Sequence, residues 1–202
     1  MTPLSRRLPR FFRRLDDLGK IISDVDATDK RTILHVYCAE KALIQIQIEW
    51  EQFVRNLILD SATGNFSNSS GRVWSQKFSQ IRSREVAAYI LVSTYPQRNI
   101  EPDWCLPVQA IQAAQNLDIS NFAQISAELG ATPWPIDELR HVRNFIAHKS
   151  KRSALSLRQT AIVPHSDKID VLNAAFQYVS GGSKRYENWI TFAKGVAKRM
   201  TT

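Results

Sequence analysis

The hydrophobic positions of residues 30–60 recur at alternating steps of three and four, which predicts one long amphipathic helix. The recurring residues are Val36, Ala39, Leu43, Ile46, Trp50, Phe53 and Leu57. Residues 44–48 (IQIQI) alternate as a strand does, but the longer helical repeat outweighs five residues. A second apolar strip contains Tyr37, Ile44, Ile48 and Ile58. A helix that is apolar on two faces is buried on two sides, and its own core and a second subunit are the candidates to cover it.

The remaining patterns also favour helices, so we predict an all-α fold in a single domain. For the helix predicted at 119–129, Asp118 is the expected N-cap and Gly130 is the expected end. By composition, residues 61–71 (SATGNFSNSSG) form a flexible loop, and residues 151–166 are a second loop. The further predicted helices are a basic N-terminal helix within 1–25 and helices at 74–93, 107–117, 119–129, 135–150, 167–179 and 183–200.

The chain is strongly basic, with a net charge of +8 among 202 residues. Such a balance indicates an anionic partner, of which nucleic acid is the commonest. The charge is concentrated in five arginines among residues 6–14 and in the stretch HKSKRS at 148–153. The N-terminal cluster faintly resembles a transit peptide, but it runs directly into a predicted helix. We interpret it as a solvated or RNA-facing surface.

Other classes of protein and site find little support in the sequence. No uninterrupted apolar stretch approaches eighteen residues, so we expect no transmembrane helix. Cys38 and Cys105 lie far apart without metal-ligand spacing, so we expect two small core residues in a reducing compartment. The expectation is therefore a cytoplasmic protein without a metal or cofactor.

The stretch HVRNFIAHK, residues 141–149, places three polar side chains inside an apolar run on the predicted helix 135–150. Asn144 and His148 are four residues apart and share one helix face. Arg143 lies five positions before His148, about 140° away around an ideal helix. Arg143 therefore reaches the histidine through its long side chain or faces the histidine of another copy. The second geometry would give a composite site across a dimer.

Arg143, Asn144 and His148 resemble the R-x(4–6)-H motif of the HEPN superfamily, in which a polar residue commonly follows the arginine. Residues 48–58 (IEWEQFVRNLI) are similar to the W-E-x-F stretch of the RiboL-PSP-HEPN-like branch. The resemblance covers roughly residues 30–200. It implies a small helical domain that acts as a homodimeric, metal-independent endoribonuclease. It also implies a role as a toxin or antiviral-defence effector, with an antitoxin or other neutralising protein as a partner.

A second match to the same pattern runs from Arg158 to His165. Pro164 lies inside it and its surroundings are not helical in pattern, so we interpret this match as accidental.

The chemistry of such a site follows from its residue types. In the expected reaction, an RNA 2′-OH attacks the neighbouring phosphorus and leaves a 2′,3′-cyclic phosphate. Histidine exchanges protons near neutral pH, so His148 is the expected base, the expected acid or both. Arg143 would hold the phosphate, and Asn144 would orient the imidazole or a phosphate oxygen. Glu51 is a candidate to pair with Arg143 and set its rotamer, and the alternative is that it is an exposed helix carboxylate.

Basic residues follow the histidine: Lys149 is expected to support the site, and Lys151 and Arg152 are the expected RNA-binding cations. They have a second explanation, because cations also suit the C-terminus of a helix. Two other functions remain open for the whole chain. One is a HEPN domain that binds RNA or a nucleotide without cutting it, and the other is a dimeric scaffold in which Arg143 and His148 form a buried polar pair.

Overall fold

The computed structural model describes residues 1–94, 100–131, 135–164, 168–179 and 181–202. These residues are mostly helical, as predicted, with one small sheet added. The sheet has three strands: β1 (Thr2–Pro3), β2 (Phe66–Asn68) and β3 (Gly71–Val73). A 3-10 turn at Leu4–Arg7 precedes the α-helices, which are α1 (Leu8–Asp26), α2 (Ile33–Ala62), α3 (Arg84–Thr94), α4 (Pro107–Asn116), α5 (Phe122–Leu129), α6 (Pro135–His148), α7 (Lys151–Arg158), α8 (Val171–Phe176) and α9 (Arg185–Thr201).

The described residues group into two compact units. The first unit contains Met1–Phe11, Trp50–Thr132 and Gly195–Thr202, and the second contains Phe12–Glu49 and Pro133–Lys194. Helices α1, α2 and α9 each contribute residues to both units. The expectation of a single domain stays a prediction. Within the described ranges, no helix combines the length and the apolar character that crossing a membrane requires.

Helix α2 confirms the long helical repeat, including the stretch IQIQI. Its predicted core positions from Ala39 to Leu57 are buried, and Trp50 and Phe53 are core residues as expected. In the first unit the Phe53 ring stacks on Phe11 with centroids 4.6 Å apart, so neither aromatic residue of the W-E-x-F stretch faces solvent to stack on a base. The first turns of α2, in contrast, expose three large apolar residues: Ile33, Leu34 and Tyr37.

The sheet of the first unit forms where the sequence indicated a loop. Strand β2 pairs with β1 in parallel and with β3 antiparallel, and Phe66 lies opposite Val73. Both of these side chains are buried. Residues 61–71 therefore contain the end of α2, strand β2 and the start of β3. Strands of three residues are too short to show a period of two, so composition alone indicated a loop.

The helix predicted at 74–93 begins only at Arg84. The preceding residues are held by long-range hydrogen bonds, because Ser75 forms a β-bridge with Ile119 and its Oγ donates to the Leu117 carbonyl at 2.7 Å. Asp118 is likewise not an N-cap: it has a φ of 48°, and Asn121 is the N-cap of α5. The predicted end of α5 at Gly130 is confirmed.

The N-terminus also differs from a continuous helix over 1–25. Helix α1 begins at Leu8, and the residues before it pair with β2 or form the 3-10 turn. Proline has no backbone N–H to donate and a fixed φ, so Pro3 fits the edge strand better than the interior of a helix. The basic cluster at 6–14 is thus divided between this turn and the first turns of α1.

In the second unit, the largest difference from expectation is α7, which occupies Lys151–Arg158 where a loop was predicted. A capping box begins this helix: Ser150 Oγ accepts from the Ser153 N–H at 3.2 Å, and Ser153 Oγ accepts from the Ser150 N–H at 3.1 Å. Serine at the third position is not the usual Glu or Gln, so the sequence signal is weak. Helix α8 is shorter than the predicted 167–179, and α9 confirms the predicted final helix.

Candidate functional site

Helix α6 carries the motif, and its apolar stripe fixes which way the polar residues face. The helical period predicted a core stripe of four residues, of which Leu139, Val142 and Ile146 are buried and Phe145 is only half-buried. Asp137 and Glu138 lie in the first turn, where negative charge complements the helix dipole. With the stripe packed inward, the residues between its members lie at the edge of the core or in solvent.

The structure brings Arg143 and Asn144 together. Arg143 Nη1 donates a hydrogen bond to Asn144 Oδ1 over 2.9 Å, and both side chains are half-buried. A guanidinium has five N–H donors, so most of them remain available to a phosphate. Asn144 therefore orients the arginine in this structure, whereas the sequence suggested that it orients the imidazole or a phosphate oxygen.

His148 is the last residue of α6 and is exposed. Within the described part of the chain, no hydrogen bond or ion pair reaches its imidazole. An exposed histidine at the end of a helix is accessible to a ligand. In the single chain His148 is thus not part of a buried polar pair with Arg143, and the hypothesis of a dimeric scaffold stays a prediction.

Lys149 follows directly in the left-handed region, with a φ of 43°. Its N–H donates to the Phe145 carbonyl at 2.8 Å, which completes the last turn of α6. Its Nζ lies 3.7 Å from Glu40 Oε2, and the lysine side chain is largely exposed. An exposed contact of this length contributes little to stability, so the ammonium group remains accessible.

Lys151 and Arg152 lie in the first turn of α7 and are exposed. Neither forms an ion pair with a carboxylate of the described residues. The N-terminus of a helix disfavours cations, so the helix dipole does not explain these two residues. The assignment of Lys151 and Arg152 as RNA-binding residues stays a prediction.

His141 lies on the same helix, but it is mostly buried. Arg140 Nη2 lies 3.0 Å from its Nε2, and Asp137 Oδ2 lies 3.6 Å from the same atom. Burial lowers the pKa of His141, the Arg140 charge lowers it further, and Asp137 opposes both effects. His141 Nδ1 is buried without a hydrogen-bond partner among the described residues. His165, which belongs to the second match, lies outside the described residues.

A cavity of about 420 Å³ lies beside the end of α6 in the second unit. Phe145 and Lys149 line it from the motif helix, and Glu40 lines it from α2. Arg31 and residues 168–172 complete the wall. Its cations and carboxylates are mixed, so the cavity has no strong preference for either sign of charge.

Glu51, predicted to support Arg143, belongs to the first unit. Its carboxylate, the Asp103 carboxylate and the buried Cys105 thiol place ligand atoms within 4.8 Å of one another. Asp103 Oδ1 already accepts from Cys105 Sγ at 2.9 Å. Zinc uses oxygen and sulfur donors of these kinds. The sequence pattern does not reveal this group, because about fifty residues separate Glu51 from Asp103 and Cys105. The pairing of Glu51 with Arg143 stays a prediction.

Comparison of the chain with protein-family models, with curated proteins and with solved structures finds no match. What the protein does is therefore inferred from the side chains at the end of α6 and the start of α7, and from their surroundings.

Proposed function

We propose that the protein is a HEPN-type, metal-independent endoribonuclease that acts as a homodimer. One observation supports this most: an exposed imidazole without a partner in the described chain, His148, lies within a few residues of the Arg143–Asn144 pair and of exposed cations. By the resemblance to HEPN proteins, the biological role would be that of a toxin or antiviral-defence effector with a neutralising partner protein.

The proposed reaction uses the 2′-OH of RNA as its nucleophile. The His148 imidazole removes the proton from the 2′-OH, and the 2′-oxygen forms a bond to the adjacent phosphorus. The bond from phosphorus to the 5′-oxygen breaks, and that oxygen takes up a proton from an imidazolium. The products are a 2′,3′-cyclic phosphate and a 5′-hydroxyl. The donors of Arg143 that Asn144 leaves unused would stabilise the charge that develops on the phosphate oxygens.

A dimer would supply the second proton-transfer group. Arg143 and His148 diverge by about 140° on an ideal helix, so one chain presents them poorly to a single phosphate. In a twofold dimer the same surface meets itself, which would place two arginines and two histidines around one cleft. Ile33, Leu34 and Tyr37, exposed at the start of α2, provide apolar surface for the subunit contact.

The decisive experiment incubates the purified protein with mixed RNA beside three variants. Positioned proton transfer is worth on the order of 10²–10⁴-fold, so His148→Ala should lose cleavage by about that factor, and Arg143→Ala should lose most of it. His165→Ala is the matched control and should change little. All variants are checked for helical content and, by sedimentation, for oligomeric state. Full activity in a folded His148→Ala variant would end the catalytic proposal, and a large loss in His165→Ala would identify the other match as the site.

Three further measurements test the mechanism. Cleavage should persist in excess EDTA, and a single 2′-deoxy substitution at the scissile position should block it. Mixed Arg143→Ala and His148→Ala subunits should differ in activity from either variant alone, because each mixed cleft retains one residue of each kind. A fully active monomer, or restoration by magnesium of an EDTA-inhibited reaction, would refute the scheme.

The alternative is a HEPN domain that binds RNA or a nucleotide without cutting it. The observation that favours it is the same freedom of His148: no hydrogen bond from the described residues fixes the tautomer or orientation of its imidazole. RNA binding without any cleavage product, at equal affinity in wild type and His148→Ala, would establish this alternative.

A further inference from the structure

A second cavity lies in the first unit, far along the sequence from the motif helix. It has a volume of about 410 Å³, within the range of about 300–1,000 Å³ that is usual for small-molecule sites. One of its lining residues is charged, Arg72, and no carboxylate lines the described wall. The lining residues are Ala62, Thr63, Gly64, Arg72, Trp74, Ser75, Gln76, Phe78, Ser79 and Ile81.

The Arg72 side chain is held by a backbone carbonyl and not by an acidic side chain. Its Nε donates to the Gly64 carbonyl at 2.8 Å, and it forms no ion pair with any residue that the structure describes. Gly64 has a φ of +71°, and a Cβ at that position would lie 2.9 Å from Arg72 Nη2. The glycine therefore allows the close approach that sets the guanidinium, and the terminal nitrogens remain available to an anion.

Trp74 lines the same cavity and is 44% exposed, which is unusual for the largest side chain. Its backbone is fixed on both sides by one residue: its N–H donates to Ser120 Oγ at 3.1 Å, and its carbonyl accepts from the Ser120 N–H at 2.9 Å. A rigid backbone that presents an open indole is suited to contact with a flat ring. Phe78 adds a second, half-buried aromatic ring to the wall.

We infer that this cavity binds a nucleotide, with Arg72 contacting the phosphate and Trp74 contacting the base. The Arg72 guanidinium, which no carboxylate of the described residues pairs with, sets the sign of the ligand charge, because an anion gains a charge-assisted hydrogen bond from its terminal nitrogens. The aromatic rings set the shape, because every base has a π-face that stacks on an indole. A free nucleotide and a nucleotide within an RNA strand share this chemistry. The inference does not depend on Arg143 or His148.

The test is calorimetric titration of the full chain with the four nucleoside 5′-monophosphates, which contain no bond for the proposed nuclease to cut. At least one should bind saturably, and the matching nucleoside and inorganic phosphate should each bind more weakly. Arg72→Ala should weaken binding about tenfold or more, since hydrogen bonds to charged groups are worth that much. Arg72→Lys keeps the charge without the planar fork and should also weaken it. Trp74→Ala should cost about tenfold through lost stacking.

Matched controls distinguish binding at Arg72 and Trp74 from the effect of removing any exposed charged or aromatic side chain. Lys198→Ala removes an exposed cation of the same unit, and Tyr89→Ala removes an exposed aromatic residue. Both variants should leave the affinity unchanged. Titration with a short RNA on the His148→Ala background then distinguishes the sources. A parallel loss of RNA affinity in Arg72→Ala identifies a nucleotide within RNA, and an unchanged RNA affinity identifies a free nucleotide.

Three results would overturn the inference. One is the absence of saturable binding for all four monophosphates, and a second is wild-type affinity in both Arg72 variants. The third is binding of nucleosides as tightly as monophosphates, since Arg72 would then have no phosphate to contact. None of these results would bear on cleavage by His148, which is measured on RNA in a separate assay.

Discussion

The Asp60 carboxylate, near the end of α2, is 1% exposed and is bound by two arginines. Arg7 Nε donates to its Oδ2 at 2.6 Å, and Arg84 Nε donates to its Oδ1. These bonds join the N-terminal turn and α3 to the end of α2 within the first unit. Burial raises the pKa of Asp60, and the hydrogen bond and charge of Arg7 oppose that shift.

Asp60→Asn keeps the volume of the side chain and removes its charge. Breaking a buried ion pair by removing one partner costs about 3–5 kcal/mol, because the other charge is left uncompensated. The Arg7 and Arg84 side chains keep 21% and 35% of their exposure, so both can partly regain water. Burial also raises the pKa of Asp60, so the fold already disfavours the charged carboxylate, and we expect a smaller loss of about 2 kcal/mol, typical of a hydrogen bond to a charged group.

Urea unfolding measures this loss. With an m-value of about 2 kcal/mol/M, the midpoint should fall by about 1 M at unchanged slope. Asp16→Asn is the matched control, because Asp16 is also ion-paired, with Lys194, but is 65% exposed. An exposed pair is worth about 0–1 kcal/mol, so that variant should unfold close to wild type. Equal midpoints for the two variants would refute the reasoning that burial decides the cost.

Three further predictions concern the second unit. Because the pKa of His141 is lowered in the fold, the unfolded chain takes up a proton there more readily below about pH 6.5, and stability should fall as the pH drops. His141→Gln should reduce the difference in melting temperature between pH 7 and pH 5, and an unchanged difference would contradict this prediction. Lys149→Gly should stabilise the fold by about 1 kcal/mol, because glycine adopts the left-handed backbone conformation of this position without strain. Lys149→Ala should give no such gain, and equal stability of the two variants would show that the backbone there is not strained. If Lys151 and Arg152 contact phosphates, their double alanine variant should reduce the salt dependence of RNA binding by about 1.4 in log–log slope, and an unchanged slope would exclude those contacts. The matched control replaces two exposed lysines of the same unit, Lys20 and Lys41.

The sequence alone determined the helices whose apolar residues repeat over several turns. Helix α2, the motif helix α6 and the last helix α9 lie close to where the periodicity indicated, because a repeat of three and four residues is a local property of the chain. The same local repeat predicted the apolar stripe of α6. Against that stripe, Arg143 and His148 stood out as polar residues.

Tertiary structure decided everything that depends on residues far apart in the sequence. Residues 74–83 are not helical, and Ser75 among them is held by contacts with Leu117 and Ile119 that no local pattern shows. The Asp60 ion pairs and the cavity around Arg72 depend on segments brought together in the same way. Burial is likewise collective: the sequence placed both His141 and His148 on one helix, and only packing made one of them mostly buried and the other accessible to a ligand.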